Sequence, residues 1–402
     1  MPRHLTARIV WACILLGSSV AACGRLDAHN LEDVVLVSRI AGLIADLGND
    51  RFQVRQAATE ELLRIGPPAA SALQQAVADS LSLEARARAT AILQIFWQRQ
   101  RPVAIRSLAG QHQDIVTMAV FSPDGETLAS TSEDGTTVLW QWREGKILRV
   151  LRGHVRGVLL AVFSPDGKTL ATGGRDAKVI LWDVGTGAQR TVIDDHQAAV
   201  SGVIYSRDGK TFVTGSDDRT VKVRDSDGKV RYSLAGHQQE VIMLAFSADA
   251  KTLVSAGGNW NDRVRQGEVK VWDLETRTTR WSAAGDFGGI WGIDVSPDGK
   301  QIAGASLDGT VRIWDSASGQ ARSVLKGHTD RVIWVAYAPG GQWLTSASLD
   351  GTVRFWDATG PQAKAVGHVD AMSVQRFAFS PREKVLAMAG SDRTVTIWQI
   401  PD

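Results

Sequence analysis

A repeat of about 42 residues constrains this chain more than any other feature of its sequence. Tryptophan, or the arginine that once replaces it, recurs along the chain at Trp140, Trp182, Arg224, Trp272, Trp314, Trp356 and Trp398. The step is 42 residues every time except between Arg224 and Trp272, where it is 48. Seven copies at one spacing indicate a repeat architecture, in which each unit packs mainly against its neighbours.

The sixth copy, residues 327–360, shows how one unit is expected to fold. Two short β-rich runs, residues 332–337 and 342–346, are separated by the turn sequence Ala-Pro-Gly-Gly. An Asp-Gly turn then leads into an alternating strand over residues 352–356, and a fourth strand is expected near Ala363. Each copy therefore predicts four strands whose faces neighbouring copies must cover.

With a Gly-His near its start and a Trp-Asp near its end, this unit resembles the WD repeat of β-propeller proteins. The resemblance covers about residues 102–402 and implies a mainly β fold, a seven-bladed propeller of four-stranded antiparallel blades. The chain ends just after the third strand of the last copy. Residues 103–108 are therefore expected to supply the missing outer strand and to close the ring, which removes exposed sheet edges.

In the WD-repeat family, a His, a Ser or Thr, an Asp and the Trp form a hydrogen-bonded chain inside each blade. Three copies keep all four: His112, Ser130, Asp134 and Trp140; His154, Thr172, Asp176 and Trp182; His328, Ser346, Asp350 and Trp356. The third copy has Arg224 for Trp, and the fourth has an insertion where its Asp should be. The fifth has Asp286 and Gly304, and the seventh has Met388. These four blades are expected to depend more on apolar packing and less on the polar chain.

His, Ser and Asp are also the parts of a nucleophilic triad, but here the set recurs in three copies with Trp as a fourth member. We therefore favour a structural role and predict that the protein is not an enzyme. No cofactor or metal is expected, because six of the eight histidines occupy the Gly-His position or its equivalent. A net charge of +2 gives no indication of a nucleic-acid partner.

Residues 1–23 are typical of an export signal with a lipobox-like end. Arg3 and Arg8 precede an apolar run over residues 9–22, which is shorter than the roughly 20 residues that span a bilayer. The small residues before Cys23 resemble the lipobox of bacterial lipoproteins, which implies lipidation of Cys23. The protein would then lie in the cell envelope, on the periplasmic face of the outer membrane or on the cell surface. The alternatives are an ordinary cleaved signal, or a buried helix with Cys23 incidental.

Residues 27–100 are poor in Gly and rich in Ala, Leu and Arg, and they predict a small all-α domain. Four helices are expected: about 31–47, one capped by Asn49 or Asp50, one from Ala69 to Val77, and one capped by Ser82. Apolar stripes are predicted on the second helix at Val54, Ala57, Ala58, Leu62 and Ile65, and on the last at Leu83, Ala87, Ala91 and Ile95. The pattern resembles HEAT repeats, although a generic helical bundle would also show it.

Departures from the repeat are the candidate partner site. The expanded loop of the fourth copy carries an aromatic residue among arginines, a composition typical of interface hot spots, and in the family this loop lies on the His-bearing face. The fifth and sixth copies add an apolar sector on the same rim. The predicted partner-binding residues are Trp260, Arg263, Arg265, Phe287, Trp291, Leu307, Arg331, Ile333 and Leu349.

Two alternatives to this partner site remain open. The insertion could fold onto its own blade, and Trp291 with the leucines could fill the mouth of the channel. If the rim residues do bind a partner, alanine at Trp260 and Trp291 is expected to leave folding intact. The same variant is expected to weaken partner capture by at least about 2 kcal/mol.

The sequence therefore predicts a monomeric, non-catalytic scaffold, membrane-anchored outside the cytoplasm, that binds a protein or peptide on the loop-rich rim of the propeller. One alternative is a structural component of an envelope assembly that is contacted through the helical domain. A propeller hydrolase or lyase is less favoured, because the first strands offer only Glu240 and Asp294 for a site in the channel.

Overall fold

The computed structural model describes residues 28–66, 69, 72–73, 76–77, 82–100, 102–258, 266–341, 343–357, 364–370 and 374–400. The chain divides into two compact units, Met1–Gln100 and Arg101–Asp402. The predicted signal segment and the predicted lipidation site Cys23 lie outside the described residues. Within the described ranges, no helix combines the length and the apolar character needed to cross a membrane.

The first unit contains the helices α1 (Ala28–Asp46), α2 (Phe52–Ile65) and α3 (Leu83–Gln100). Helix α2 begins later than predicted, since Arg51 and not Asn49 or Asp50 occupies the capping position. Asn49 Oδ1 accepts the backbone N–H of Arg51 at 3.0 Å. Of the helix predicted over residues 69–77, the described residues 72–73 and 76–77 are helical. The buried core of the unit consists of Ile40, Ile44, Leu47, Ala58, Leu62, Ala69, Leu73, Ala85, Ala89 and Ile92.

Helix α3 buries a different face from the one predicted. Ser82 Oγ accepts the N–H of Ala85 at 3.3 Å, as the capping prediction requires. However, the predicted stripe residues Ala87 and Ala91 are exposed, and the buried face is that of Ala85, Ala89 and Ile92. Alanines occur on both faces of this helix, and the face that carries Ile92 removes more apolar surface from water. The HEAT-like interpretation stays a prediction.

In the described part of the second unit, 28 strands form seven four-stranded antiparallel sheets. Blade one contains β2 Val116–Phe121, β3 Thr127–Ser132, β4 Thr136–Gln141 and β5 Lys146–Arg152. Blade two contains β6 Val158–Phe163, β7 Thr169–Gly174, β8 Val179–Asp183 and β9 Gln189–Ile193. Blade three contains β10 Val200–Tyr205, β11 Thr211–Ser216, β12 Val221–Asp225 and β13 Val230–Leu234. Blade four contains β14 Val241–Phe246, β15 Thr252–Gly258, β16 Gly267–Asp273 and β17 Thr278–Gly285. Blade five contains β18 Ile290–Val295, β19 Gln301–Ser306, β20 Val311–Asp315 and β21 Ala321–Leu325. Blade six contains β22 Val332–Tyr337, β23 Trp343–Ser348, β24 Thr352–Asp357 and β25 Lys364–Asp370. Blade seven contains β26 Val374–Phe379, β27 Val385–Gly390 and β28 Val395–Gln399, together with β1 Val103–Leu108. The predicted seven-bladed propeller is confirmed.

The ring closes at the last blade. Strand β1 pairs antiparallel with β28, with Val103 opposite Gln399 and Leu108 opposite Val395. Blade seven and blade one then share one buried apolar cluster, which includes Leu108, Trp140 and Ile397. The segment ahead of the first blade thus completes the last one, and the sheets bury their faces against one another.

Candidate protein-binding face

The three complete sets of polar residues hold the loops of one rim. In blade two, His154 Nε2 lies 2.8 Å from Thr172 Oγ1 and Nδ1 lies 2.9 Å from Asp176, while Trp182 Nε1 donates to Thr172 Oγ1 at 2.9 Å. Asp176 also accepts the backbone N–H of Val155 at 3.0 Å. Both ring nitrogens of this buried histidine are therefore occupied, and the loop is fixed at two points.

Blades six and one repeat this geometry. In blade six, Ser346 Oγ lies 2.8 Å from His328 and 2.9 Å from Trp356, and Asp350 lies 2.9 Å from His328 Nδ1. In blade one, Ser130 Oγ lies 2.7 Å from both His112 and Trp140, but Asp134 is 3.5 Å from His112 Nδ1, and the hydroxyl of Thr136 comes closer, at 3.1 Å. Burial lowers the pKa of His112, so its ring is neutral at pH 7.

Blade three keeps a polar chain, so the expectation of mainly apolar packing there is wrong. Arg224 is fully buried, and its Nε donates to Thr214 Oγ1 at 3.1 Å, where Trp donates in other blades. Its two terminal nitrogens donate to Asp195 at 2.9 and 2.6 Å. The guanidinium carries five donors where the indole has one, and the carboxylate satisfies two of the additional ones.

Blade four also keeps the hydrogen-bonded polar chain, because Glu268 takes the place of the missing Asp. Glu268 lies just after the insertion, and its Oε2 is 2.8 Å from His237 Nδ1 and accepts the N–H of Gln238 at 3.0 Å. Trp272 Nε1 donates to Ser255 Oγ at 2.7 Å. The expectation of a weakened polar chain is wrong here as well, since the longer glutamate side chain reaches the same histidine from a strand position.

Glu268 makes the stability of this blade dependent on pH. Burial opposes its ionisation, but the hydrogen bond and charge of His237, with Lys270, outweigh that effect and lower the pKa of Glu268 to about 2. Because the folded pKa is depressed, the stabilisation is complete above the unfolded pKa of about 4.3 and is lost as the pH falls toward 2.

We expect Glu268→Gln to lower the free energy of unfolding at pH 7 by about 2 kcal/mol, since a charge-assisted hydrogen bond is lost. The difference from the wild type should shrink below pH 4. Urea unfolding of the propeller at pH 7 and pH 3 measures both values. Glu275→Gln, at an exposed carboxylate in the outer turn of the same blade, is the matched control, and equal losses in the two variants would contradict the assignment.

Blades five and seven do pack through apolar side chains. In blade five Asp286 stands at the histidine position in sequence, but the buried ring of the next residue, Phe287, packs near Trp314, with 6.3 Å between the ring centroids. A Cβ on Gly304 would lie only 2.7 Å from the Trp314 ring, so that ring fills the space of the usual hydroxyl. In blade seven Met388 is buried at the hydroxyl position. Phe287 was predicted to bind a partner, but the structure places it in the core of its blade.

The apolar sector of the rim is contiguous but mostly buried. Ile242, Trp291 and Ile333 form one buried cluster, and Leu307 packs against it. Trp291 is only 8% exposed, whereas Leu349 is 43% exposed. The structure thus shows the arrangement in which these side chains fill the mouth of the channel, with Leu349 as the accessible apolar residue. Trp260, Arg263 and Arg265 lie outside the described residues.

Blades one to three present charged side chains on the same rim. Arg175 binds Glu133 through two nitrogens at 2.8 and 2.7 Å, and Ser201 Oγ donates to Asp217 at 2.7 Å. Burial raises the pKa of Asp217, and burial together with the charge of Asp217 raises the pKa of Glu240. These rim positions of blades one to three are therefore polar, although Val155 in the histidine loop of blade two is 82% exposed.

Arg376 is a channel residue that the sequence reasoning missed. It lies on the inner strand of blade seven, donates to the carbonyl of Leu159 in blade two at 3.0 Å, and has its guanidinium carbon 5.2 Å from the centroid of Trp334. Burial, with the charge of Arg175, lowers the pKa of Arg376 to about 10, so it is still protonated at pH 7. The available signal in the sequence is its charge, because the equivalent inner-strand position is uncharged in the other six blades: Met118, Leu160, Gly202, Met243, Gly292 and Trp334.

The central channel contains a cavity of about 420 Å³ that is lined mainly by apolar side chains of the inner strands. Asp294 is its buried carboxylate, and it accepts backbone N–H groups from Tyr337 at 2.7 Å and Val295 at 2.9 Å. Burial raises the pKa of Asp294 to about 6. The bond from Tyr337 joins blade six to blade five, which is a structural role. Across the described residues, no group of three or more His, Cys, Asp or Glu side chains is arranged to hold a metal ion.

Seven four-stranded blades, with a buried His, hydroxyl and Trp chain in several of them, define a WD-repeat propeller scaffold. The description "WD domain, G-beta repeat" matches residues 103–141, which include the closing strand and most of blade one. The family described as "IFT122 first beta-propeller" matches residues 163–399, more than half of the chain. The protein belongs to this WD-repeat propeller family.

Curated relatives match the chain over about the length of one blade. Nuclear distribution protein nudF of Emericella nidulans is 51% identical over 47 residues, 12% of this chain and 11% of the relative. The nudF protein of Aspergillus niger is 42% identical over 57 residues, 14% and 13% of the two chains. Nuclear distribution protein PAC1 of Coccidioides posadasii is 44% identical over 48 residues, 12% and 10%. The matches span about a tenth of these relatives.

These relatives correct the predicted location. A lipid-anchored position in a bacterial cell envelope was expected from residues 1–23. That prediction is wrong, because these relatives are fungal and are named for nuclear distribution, not for an envelope. Their names describe no enzyme, and the family is that of WD-repeat propeller scaffolds.

Proposed function

We propose that this protein is a non-catalytic scaffold that binds a protein or peptide partner on the rim carrying the histidine loops. The observation that carries the proposal is Leu349, a large apolar side chain that is 43% exposed in a rigid turn. Its neighbour Asp350 binds His328 and accepts the backbone N–H of Thr329 at 2.9 Å, and Leu349 itself donates its N–H to the carbonyl of Arg331 at 3.0 Å. A turn fixed in this way presents its side chain with little further loss of entropy on binding.

The rest of the rim suggests the chemistry of the partner. Leu349 belongs to the half of the rim where Ile242, Trp291 and Ile333 close the mouth of the channel. The residue before the turn aspartate is Glu133 in blade one and Arg175 in blade two. A partner segment with an apolar anchor over blades five and six and polar side chains over blades one to three fits this surface. The insertion with Trp260, Arg263 and Arg265 is proposed as a further contact.

We expect Leu349→Asp to weaken capture of the partner by about 2 kcal/mol, or roughly 30-fold, because a charge would replace an apolar anchor. Quantitative affinity capture with the full-length protein, followed by titration of the recovered partner, measures the loss. Leu148→Asp is the matched control, since Leu148 is 36% exposed on the outer strand of blade one, away from the rim loops. A partner that binds both variants equally well would show that the rim is not the site.

The helical unit is the other candidate contact surface, because Phe52 and Val35 are more than half exposed on it. A chain starting at residue 101 distinguishes the two, since the propeller is a separate compact unit. Retained binding by this shorter chain favours the propeller rim. Loss of binding, with the propeller still folded, favours the helices.

A further inference from the structure

A groove of about 360 Å³ lies between blades three and four, beside their outer turns. We propose that this groove binds a phosphate group, either free phosphate or a phosphate monoester. Three cations line it, Arg231, Lys251 and Arg277, together with the ring of Tyr232 and one carboxylate, Glu275. It lies among the turns that join the outer strands and is separate from the rim residues proposed to bind a partner.

Arg231 does not form the ion pair with an aspartate that the equivalent arginines form in other blades. Four blades carry an arginine at the bulge where the outer strand begins, and in three of them it forms an ion pair with the aspartate that ends the preceding strand: Arg190 with Asp183, Arg280 with Asp273, and Arg322 with Asp315. In blade three, Arg231 occupies the same bulge but donates to the carbonyl of Lys210 at 3.2 Å.

The physical reason lies in the turn before Arg231. Five residues separate Asp225 from Arg231, whereas six separate the aspartate from the arginine in the other three blades. Asp225 Oδ1 accepts the backbone N–H of Lys229 at 3.0 Å instead. The shorter turn thus leaves the Arg231 guanidinium lining the groove, without the carboxylate that neutralises it elsewhere in the repeat.

Arg277 stands where the repeat otherwise has glycine. The outer turns of blades one, two, three and five place Gly145, Gly187, Gly228 and Gly319 at positive φ, but in blade four this residue is Arg277, with φ of 61°. A left-handed conformation costs a non-glycine residue roughly 1 to 2 kcal/mol, so the fold alone would favour glycine here. The Arg277 guanidinium carbon lies 4.5 Å from the centroid of Tyr232, whose hydroxyl donates to Leu274 at 3.2 Å. The fixed ring therefore orients the guanidinium.

The charge of the groove matches a dianion. Among the described residues, none of Arg231, Lys251 and Arg277 has a carboxylate oxygen within 4.0 Å. Asp249 accepts the hydroxyl of Ser247 at 2.6 Å and the backbone N–H of Lys251 at 3.0 Å. The charge of Lys251 also helps to lower the pKa of Asp249, although the two side chains form no ion pair within 4.0 Å. Three cations and Glu275 give a net charge of +2, and a phosphate monoester carries about −1.5 to −2 at pH 7. A carboxylate would neutralise only half of this charge.

Isothermal titration of the full-length protein tests the proposal, at low ionic strength, with two probes: inorganic phosphate and a short peptide containing O-phosphoserine. We expect Arg231→Ala and Arg277→Gly each to lower the association constant about tenfold, because each removes a charged donor to the phosphate. Arg322→Ala is the matched control, since Arg322 occupies the same bulge in blade five but is paired with Asp315, and its binding should stay within about twofold of the wild type.

A second measurement separates binding from folding. Arg277→Gly restores the glycine of the repeat, so its melting temperature should rise while its phosphate binding falls. Binding of inorganic phosphate alone would assign the groove to free phosphate, and binding of the phosphopeptide would assign it to a modified side chain; both support the proposal. The proposal is overturned if neither probe binds, if Arg322→Ala loses as much affinity as Arg231→Ala, or if peptides with serine or aspartate at the same position bind equally well.

Discussion

Replacing Trp291 with alanine is expected to lower the free energy of unfolding of the propeller by about 3 to 5 kcal/mol, as for other large buried aromatic side chains. Trp291 packs with Ile242 and Ile333, from the blades on either side, and with Leu307. Truncation would leave a cavity where three blades meet, because strands in closed sheets have little freedom to collapse into it. This result would replace the expectation from sequence that the alanine variant folds normally.

Trp343→Ala is the matched control for Trp291→Ala. Trp343 begins the second strand of blade six and is 36% exposed, so its loss is expected to lower stability by about 1 to 2 kcal/mol, clearly less than the loss at Trp291. Denaturant unfolding followed by tryptophan fluorescence and circular dichroism measures both variants. Equal stability of the Trp291 variant and the wild type would mean that the side chain is not packed in the mouth of the channel.

The second large effect is expected at Asp195. Asp195→Ala should destabilise the propeller by about 3 kcal/mol, because it leaves the buried guanidinium of Arg224 without its counter-ion. We expect a value at the low end for buried ion pairs, since the Asp195 side chain itself is 39% exposed. Hydrogen bonds from Arg224 hold the pKa of Asp195 at about 2, so the stabilisation is complete above pH 4 and is lost as the pH falls toward 2.

Two further variants isolate the cause at Asp195. Asp194→Ala removes the neighbouring carboxylate, which is 58% exposed and pairs with Lys178 at 3.1 Å, and it should cost less than about 1 kcal/mol. The double variant Asp195→Ala/Arg224→Met removes both charges and should recover most of the loss. Urea unfolding of all three variants gives the comparison. A double variant as unstable as Asp195→Ala would exclude the uncompensated charge as the cause.

Much of the polar architecture could be predicted from sequence. The resemblance to WD-repeat proteins implied the contacts among His154, Thr172 and Trp182, and the structure shows these contacts at the fixed register of the paired strands. The pair in blade three also leaves a signal. Asp195 replaces the glycine before the histidine in the same copy in which Arg224 replaces Trp. Two departures of opposite charge in one blade indicate an ion pair between them. Considering each position separately missed this pair.

The role of Glu268 could not be predicted from the repeat, because the insertion changes the spacing between the acidic residue of the turn and the Trp. The other turn aspartates precede their Trp by six residues, whereas Glu268 precedes Trp272 by four. Only the longer side chain brings its carboxylate to His237 from that position. An acidic residue on an otherwise apolar buried strand is the available signal, since such a group needs a partner.

By itself, the sequence determined the number of blades, the strand order within each blade, the closing strand and the polar chains of the complete copies. The number of blades and the strand order follow from a unit of about 42 residues that recurs seven times. The closing strand, which pairs Val103 with Gln399, and the polar chains were predicted from the resemblance to WD-repeat proteins. Only the tertiary structure decided which rim side chains are buried. Leu307 and Leu349 both precede the turn aspartate of their blade, yet Leu307 packs against the buried cluster of Ile242, Trp291 and Ile333 while Leu349 is 43% exposed. Their exposure differs because it depends on residues of other blades that the ring brings together.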